Sequence, residues 1–231
     1  MKLVTFSFDD GVVQDRQLVQ ALNRYGMKGT FHLNSSQWGA VQTLEHLGTV
    51  INYSILSFEE AADVYRGHEI AAHTWHHPSN LPLLPAEQMH REISENIRAL
   101  EALSHRPISG LAYPCGMTDD NVIAYLRGST SIRYARLAEP SGSFLPPKDW
   151  YRWQPTFRVT DPDLSVRVRS FLDAPDDGIR LLMIMGHAFE LDKTPLGWFN
   201  FEQILRQISA QNGLIYCTNE EAQRIITDLA H

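Results

Sequence analysis

Four short stretches of the 231-residue chain carry the side chains that could act together chemically. They are the adjacent carboxylates Asp9 and Asp10 in KLVTFSFDDGVV, the histidines of HTWHH at 73–77, YPCG at 113–116 and GHAFE at 186–190. Two neighbouring aspartates repel each other and favour neither strand nor helix, so something near them must compensate. His73 and His77 are four apart, the spacing that puts two imidazoles on one face of a helical turn. With one carboxylate they offer two nitrogens and one oxygen to a metal, leaving a fourth position for water. A divalent cation there would offset the repulsion at Asp9 and Asp10, one serving as ligand and the other as base. Each stretch alone has a plainer reading. An Asp-Asp-Gly can be an Asx-capped turn, two histidines four apart can be coincidence, and His187 after an apolar strand can be a packing residue.

The elements around these stretches explain why the four belong together. Residues 3–8 read as a strand, followed by a helical pattern through Leu18, Leu22 and Tyr25 that Gly26 closes. GTFHL is the next strand, residues 34–56 show no helical period, and Ser57 with Glu60 forms a capping box that starts a short helix. HEIAA, ISGLAY, SIRYARL, IRLLMIM and LIYCT read as further strands. Between them lie helical patterns at 86–104, 118–128, 163–173, 200–213 and 219–230 and a long loop at 139–160. The alternation of apolar strands with helices predicts an α/β domain with a parallel sheet, as a closed or nearly closed (β/α) barrel of about seven strands or a doubly wound open sheet. In a parallel barrel the functional side chains gather at the C-terminal strand ends. All four stretches directly follow strands there.

The rest of the composition narrows the class. A chain with 43% hydrophobic residues supports one sizeable core, so a single domain over 1–231 is expected. The net charge is −7 and the basic residues are scattered, which argues against nucleic-acid and membrane-surface partners. Cys115 and Cys217 are far apart with no C-x-x-C pattern, and no base is identifiable near either thiol. No apolar run approaches membrane-spanning length and the first strand starts at residue 2, so a cytoplasmic location is expected.

TFSFDDG, GHEIAAHTWHH and IMGHAFE, in this order and spacing, resemble the polysaccharide deacetylases (carbohydrate esterase family four, the chitooligosaccharide deacetylase homology domain). The resemblance runs from residue 5 to about 190. It implies a distorted (β/α) barrel and a metal-dependent hydrolase, usually with zinc, that removes acetyl groups from N- or O-acetylated carbohydrates. Carried onto this chain, it implies Asp9 as general base, Asp10, His73 and His77 as metal ligands, and His187 as general acid. The Cys115 N–H would help hold the oxyanion. Tyr113, Trp150 and Trp153 are candidate sugar contacts, with Tyr151, Trp75 and Trp198 as further flat walls.

Two departures stand out. Ala112 occupies the place of the arginine that positions the base, and Arg136 in the neighbouring RYARL is the candidate replacement. The fourth motif, an aspartate and tryptophan pair, is matched only loosely by Asp149 and Trp150. Two other functions stay open: hydrolysis of a non-sugar amide or ureide by the same residues, and carbohydrate binding without turnover. His32, His46, His68, His76, His90 and His105 are read as surface or packing residues.

Overall fold

A computed structural model describes residues 1–229; Ala230, the last residue of the expected C-terminal helix, lies outside it. The chain runs β1 (Lys2–Asp9), α1 (Asp15–Arg24), β2 (Gly29–Leu33), β3 (Thr43–His46), β4 (Thr49–Asn52), α2 (Phe58–Val64), β5 (Glu69–Ala72), α3 (Ala86–Ser104), β6 (Gly110–Ala112), α4 (Asp120–Ser129), β7 (Tyr134–Arg136), β8 (Phe157–Arg158), α5 (Leu164–Leu172), β9 (Arg180–Gly186), α6 (Gly197–Ser209), β10 (Leu214–Tyr216) and α7 (Asn219–Leu229). The main sheet has the order β7-β6-β5-β2-β1-β9-β8 and is parallel throughout. β10 joins the first half of β1, at residues 2–4, and β2 joins the second half, at residues 6–9. The segment after residue 152 links the two ends irregularly. Trp153 exchanges backbone hydrogen bonds with Ala135 and Leu137, and Thr156 and Val159 donate to Met183 and Met185 of β9. The result is the expected distorted (β/α) barrel.

Alternation along β1 decides what fills it. Val4, Phe6 and Phe8 pack outward into the core beneath the helices, where Phe6 and Phe8 meet Phe201 of α6 edge-on at 6.2 and 6.1 Å. The intervening Leu3, Thr5, Ser7 and Asp9 are buried on the other face, inside the barrel. At its floor Leu3, Tyr134, Trp153, Leu181 and Met183 pack with Cys217, Ala222 and Ile226 of the C-terminal segment. Beside this apolar floor runs a column of buried polar groups. Thr5 donates to Asn219, Asn219 donates to Ser7, and the Asn219 N–H donates to Thr30, whose hydroxyl donates to Glu69. Glu69 also accepts from Tyr134 Oη and the Glu220 N–H; burial raises its carboxyl to about 7 against these three donors. The apolar runs of the sequence therefore conceal an inward polar stripe.

The structure refines the local expectations. Residues 34–56 hold an antiparallel hairpin, β3 with β4. The 139–160 loop contains a short 3₁₀ turn at Trp150–Arg152 and the strand β8, and α6 starts at Gly197 rather than Asn200. Cys115 is exposed and Cys217 buried, and the two are free thiols. Among the described residues no helix is long and apolar enough to cross a membrane.

Close approach makes Gly110 costly to replace. A Cβ on Gly110 would lie 2.1 Å from Tyr134 Oη, the fully buried donor to Glu69. Gly110→Ala is expected to cost about 1–3 kcal/mol in urea unfolding. Gly128→Ala, where nothing lies within 4 Å of the new Cβ, is expected to be neutral or stabilising.

Candidate active site

Asp9 is the last residue of β1 and is paired in register with His32 of β2, so its carboxylate stands at the C-terminal rim inside the barrel. Burial alone would raise its carboxyl. The Arg136 guanidinium overrides this, with His187 adding to it, and holds Asp9 well below the usual carboxylate range. Arg136 is itself fully buried; it pairs with Asp9 through Nη2, donates to Ser7 Oγ at 3.0 Å through Nε and to the Leu137 carbonyl at 3.0 Å through Nη1. Ala112 and Arg136 are register partners on adjacent parallel strands. A side chain at 136 therefore enters the interior beside one at 112, and the charge absent from β6 is supplied by β7.

Asp10 turns away from Asp9 because its backbone is left-handed, at φ 77°. Its N–H donates to the His32 carbonyl at 2.9 Å. Left-handed non-glycine residues gather here. Of six among the described residues, Asp10, Thr74, His77 and Cys115 belong to the motif loops, a concentration typical of functional sites. The histidine spacing does not arise from a helical turn, contrary to the expectation. Residues 73–77 form a loop bent by Thr74 and His77, and the loop is tied to α3 where the Trp75 and His76 N–H groups donate to the Glu92 carbonyl and carboxylate.

This loop still brings both imidazoles to Asp10. His73 Nδ1 lies 2.8 Å from the Ala112 carbonyl, which can only accept, so that nitrogen carries the proton and Nε2 presents a lone pair. His73 Nε2 lies 3.7 Å from Asp10 Oδ1, and one ligand atom from each of Asp10, His73 and His77 falls within 4.8 Å of the others. Ligand bonds of about 2.0–2.2 Å place the donors of a tetrahedral centre roughly 3.4 Å apart. The trio thus fits a divalent cation with little closure.

His187 follows β9, with Nε2 3.6 Å from Asp10 Oδ2 and Nδ1 3.4 Å from Glu190 Oε2. Burial disfavours its charged form, but Glu190, Asp10 and Asp9 raise the imidazole to about 9. Cys115 sits in the Pro114–Gly116 turn. The Gly116 and Met117 N–H groups are consumed by that turn, whereas the Cys115 N–H has no acceptor among the described residues.

The expected aromatic walls lie elsewhere. Tyr113 is buried and its hydroxyl donates to the Tyr151 carbonyl, so it braces the 150s loop. Trp153 is 3% exposed, wedged between Tyr134 and Trp150, and forms part of the barrel floor. Trp150 is half-buried edge-on against it at 5.0 Å. Asp149 accepts from the Tyr151 N–H and from Arg127, which makes it a loop anchor. Trp198 donates to Asp192, and Trp75 lies under Arg91 and beside His76.

Other residues at the site were given no role by the sequence reading, although Glu190 lies within the GHAFE stretch. Tyr53, after the β3–β4 hairpin, donates to Asp10 Oδ2 at 2.6 Å and meets Phe189 edge-on at 5.0 Å; its stretch shows no periodicity. Glu190, three residues after His187, accepts the His187 N–H. His32 is fully buried one strand from Asp9, and the alternation Thr30, Phe31, His32, Leu33 is the signal that it points inward.

Fold and cluster together define a (β/α)-barrel protein with a two-histidine, one-carboxylate centre at its C-terminal rim. The family model described as polysaccharide deacetylase matches residues 1–130, and the chain belongs to that family. No curated protein sequence matches the chain. Among solved structures, the peptidoglycan deacetylase PdaC from Bacillus subtilis is 16% identical with a TM-score of 0.61, over 99% of this chain and 93% of that one. A family 4 acetyl xylan esterase from Clostridium thermocellum in complex with a cobalt ion is 16% identical with a TM-score of 0.57, over 95% and 89%. A CE4 family pseudoenzyme from Bacillus anthracis is 13% identical with a TM-score of 0.60, over 96% and 65%. The chain spans about half, 55%, of the length of a Streptococcus pyogenes deacetylase that it also matches. At these identities the likeness is one of fold.

A divalent cation titrated into the protein is expected to bind once per chain in competition with a chromophoric chelator. His73→Ala is expected to abolish that binding, and Tyr53→Phe to weaken it by about 10-fold through the loosened Asp10 carboxylate.

Proposed function

We propose that the protein is a metal-dependent hydrolase that removes acetyl groups from an N- or O-acetylated carbohydrate. The observation that carries this reading is the pairing of a buried, ionised Asp9 with Arg136, directly beside the Asp10, His73 and His77 cluster. A divalent cation on that cluster, zinc by preference for its two-nitrogen, one-oxygen donor set, supplies a Lewis acid that polarises the carbonyl and acidifies water. Asp9, kept ionised and aimed by Arg136, takes the proton of the attacking water. The free Cys115 N–H donates to the oxyanion, a contribution whose loss costs on the order of 10²–10³ in rate in comparable sites. His187, drawn into its charged form by Glu190 and Asp10, protonates the departing sugar nitrogen or oxygen. The carbohydrate is the one partner this chemistry requires.

A second reading has its own support. Tyr113 and Trp153 are buried, so neither offers the flat platform that a sugar ring stacks on, which favours a non-sugar amide or ureide handled by the same residues.

Acetate release from acetylated chitooligosaccharides, xylan fragments and small N-acetyl sugars, measured beside hydrolysis of cyclic ureides and formylated amines, tests both. Release that is lost on chelation and lowered at least 10³-fold in Asp9→Asn is expected. Turnover confined to the amides would favour the second reading. No turnover with metal bound would mark a protein without catalysis, as the Bacillus anthracis neighbour is described as a pseudoenzyme.

A further inference from the structure

On the deacetylase-type reading Arg136 aims the base, and a buried hydrogen-bond network aims Arg136. Its Nε–H donates to Ser7 Oγ at 3.0 Å, a fully buried hydroxyl that also lies 3.2 Å from Asn219 Nδ2 and 3.0 Å from His32 Nε2. The proton positions follow from donor and acceptor counting. His32 Nδ1 faces the Ala72 carbonyl at 3.3 Å, which only accepts, so Nδ1 carries a proton. A second proton on this ring would turn a third N–H towards the Ser7 oxygen, beside those of Arg136 and Asn219, and leave the serine's own proton with no acceptor. Nε2 is then a bare acceptor, and the only proton that can meet it is that of the Ser7 hydroxyl. With its proton committed to His32, the serine oxygen turns both lone pairs towards the Arg136 and Asn219 N–H groups. The same assignment orients the Asn219 amide, whose oxygen accepts from Thr5 at 2.5 Å.

We propose that His32 is a positioning residue for the hydrolytic reaction: as a neutral ring protonated only on Nδ1, it takes the Ser7 hydroxyl proton, so that Ser7 anchors Arg136 and Arg136 aims Asp9. This rests on the deacetylase-type reading of Asp9. The His32 ring hydrogen-bonds to none of the proposed ligands; only its backbone carbonyl does, accepting the Asp10 N–H. Without the His32 acceptor, the Ser7 proton has only the N–H groups of Arg136 and Asn219 around it, and the guanidinium loses one of its three tethers.

Two variants separate positioning from packing. His32→Phe keeps the ring shape and removes the acceptor; His32→Gln gives up the shape and places an amide oxygen near the former Nε2. Positioning predicts that His32→Phe lowers kcat by about 10- to 100-fold with KM little changed, the cost of one buried unpaired donor, and that His32→Gln recovers most of the rate. Adding His32→Phe to Ser7→Ala should then cost almost nothing more, because the two residues act as a unit. Phenylalanine tolerated better than glutamine, or independent additive losses, would overturn the proposal. Metal stoichiometry should stay at the wild-type value in every variant; its loss would assign His32 to the ligand centre and equally overturn the idea. Nitrogen-15 NMR of histidine-labelled wild-type protein decides the matter even if the variants do not fold. An unprotonated Nε2 from about pH 6 to about pH 8 supports it, and a protonated Nε2 refutes it. Should the wild type hydrolyse nothing, the proposed function fails while the NMR result still judges the His32 arrangement.

Discussion

A carboxylate can be both buried and ionised only if a fixed positive charge stands against it, and Asp9 meets that condition through Arg136. Desolvating two such groups costs several kcal/mol each, and the pair holds only when the remaining donors and acceptors are satisfied. The barrel interior is arranged to satisfy them. Ser7 and the Leu137 carbonyl take two further guanidinium protons, and Asn219, Thr5, Thr30 and Glu69 continue the hydrogen bonding down to the start of α7. A barrel of this type usually fills its centre with branched apolar side chains. Here those residues are confined to the floor, and the polar column occupies the space below the candidate site.

The rim is built differently, from loops that give up regular backbone to aim single side chains. Asp10, Thr74, His77 and Cys115 all take left-handed conformations, and for a β-branched residue such as Thr74 that geometry is costly. Their surroundings hold them in it: the His32 carbonyl fixes Asp10, α3 fixes the 73–77 loop, and the Pro114–Gly116 turn fixes Cys115. Tyr53 arrives from an inserted hairpin and completes the shell around Asp10. Opposed charges are thereby held within a few ångströms of one another, a balance that a cation on Asp10, His73 and His77 would complete.

The sequence made much of this legible. Strand and helix alternation, the single domain's barrel and the strand-end placement of the four motifs follow from periodicity, which depends on nearest neighbours in the chain. The relocation of the arginine to 136 could be suspected from the alanine at 112 and a basic residue on the next strand. Tyr53 could not be anticipated, because nothing within residues 34–56 shows that the hairpin folds over Asp10. Trp153 is ambiguous for the opposite reason: an aromatic side chain suits a sugar platform and a barrel floor equally well, and only the pairing of the 150s segment with β7 puts it in the floor.

What the sequence determined by itself is therefore the inventory: which carboxylates and imidazoles exist, in what order, and at which strand ends they emerge. The tertiary structure alone decided which of them are paired. Whether Arg136 reaches Asp9, whether His32 faces Ser7, and whether Glu69 meets Tyr134 depend on strand register and on burial. Both are set by contacts between residues as much as 214 positions apart, as for Thr5 and Asn219, and no local pattern encodes them.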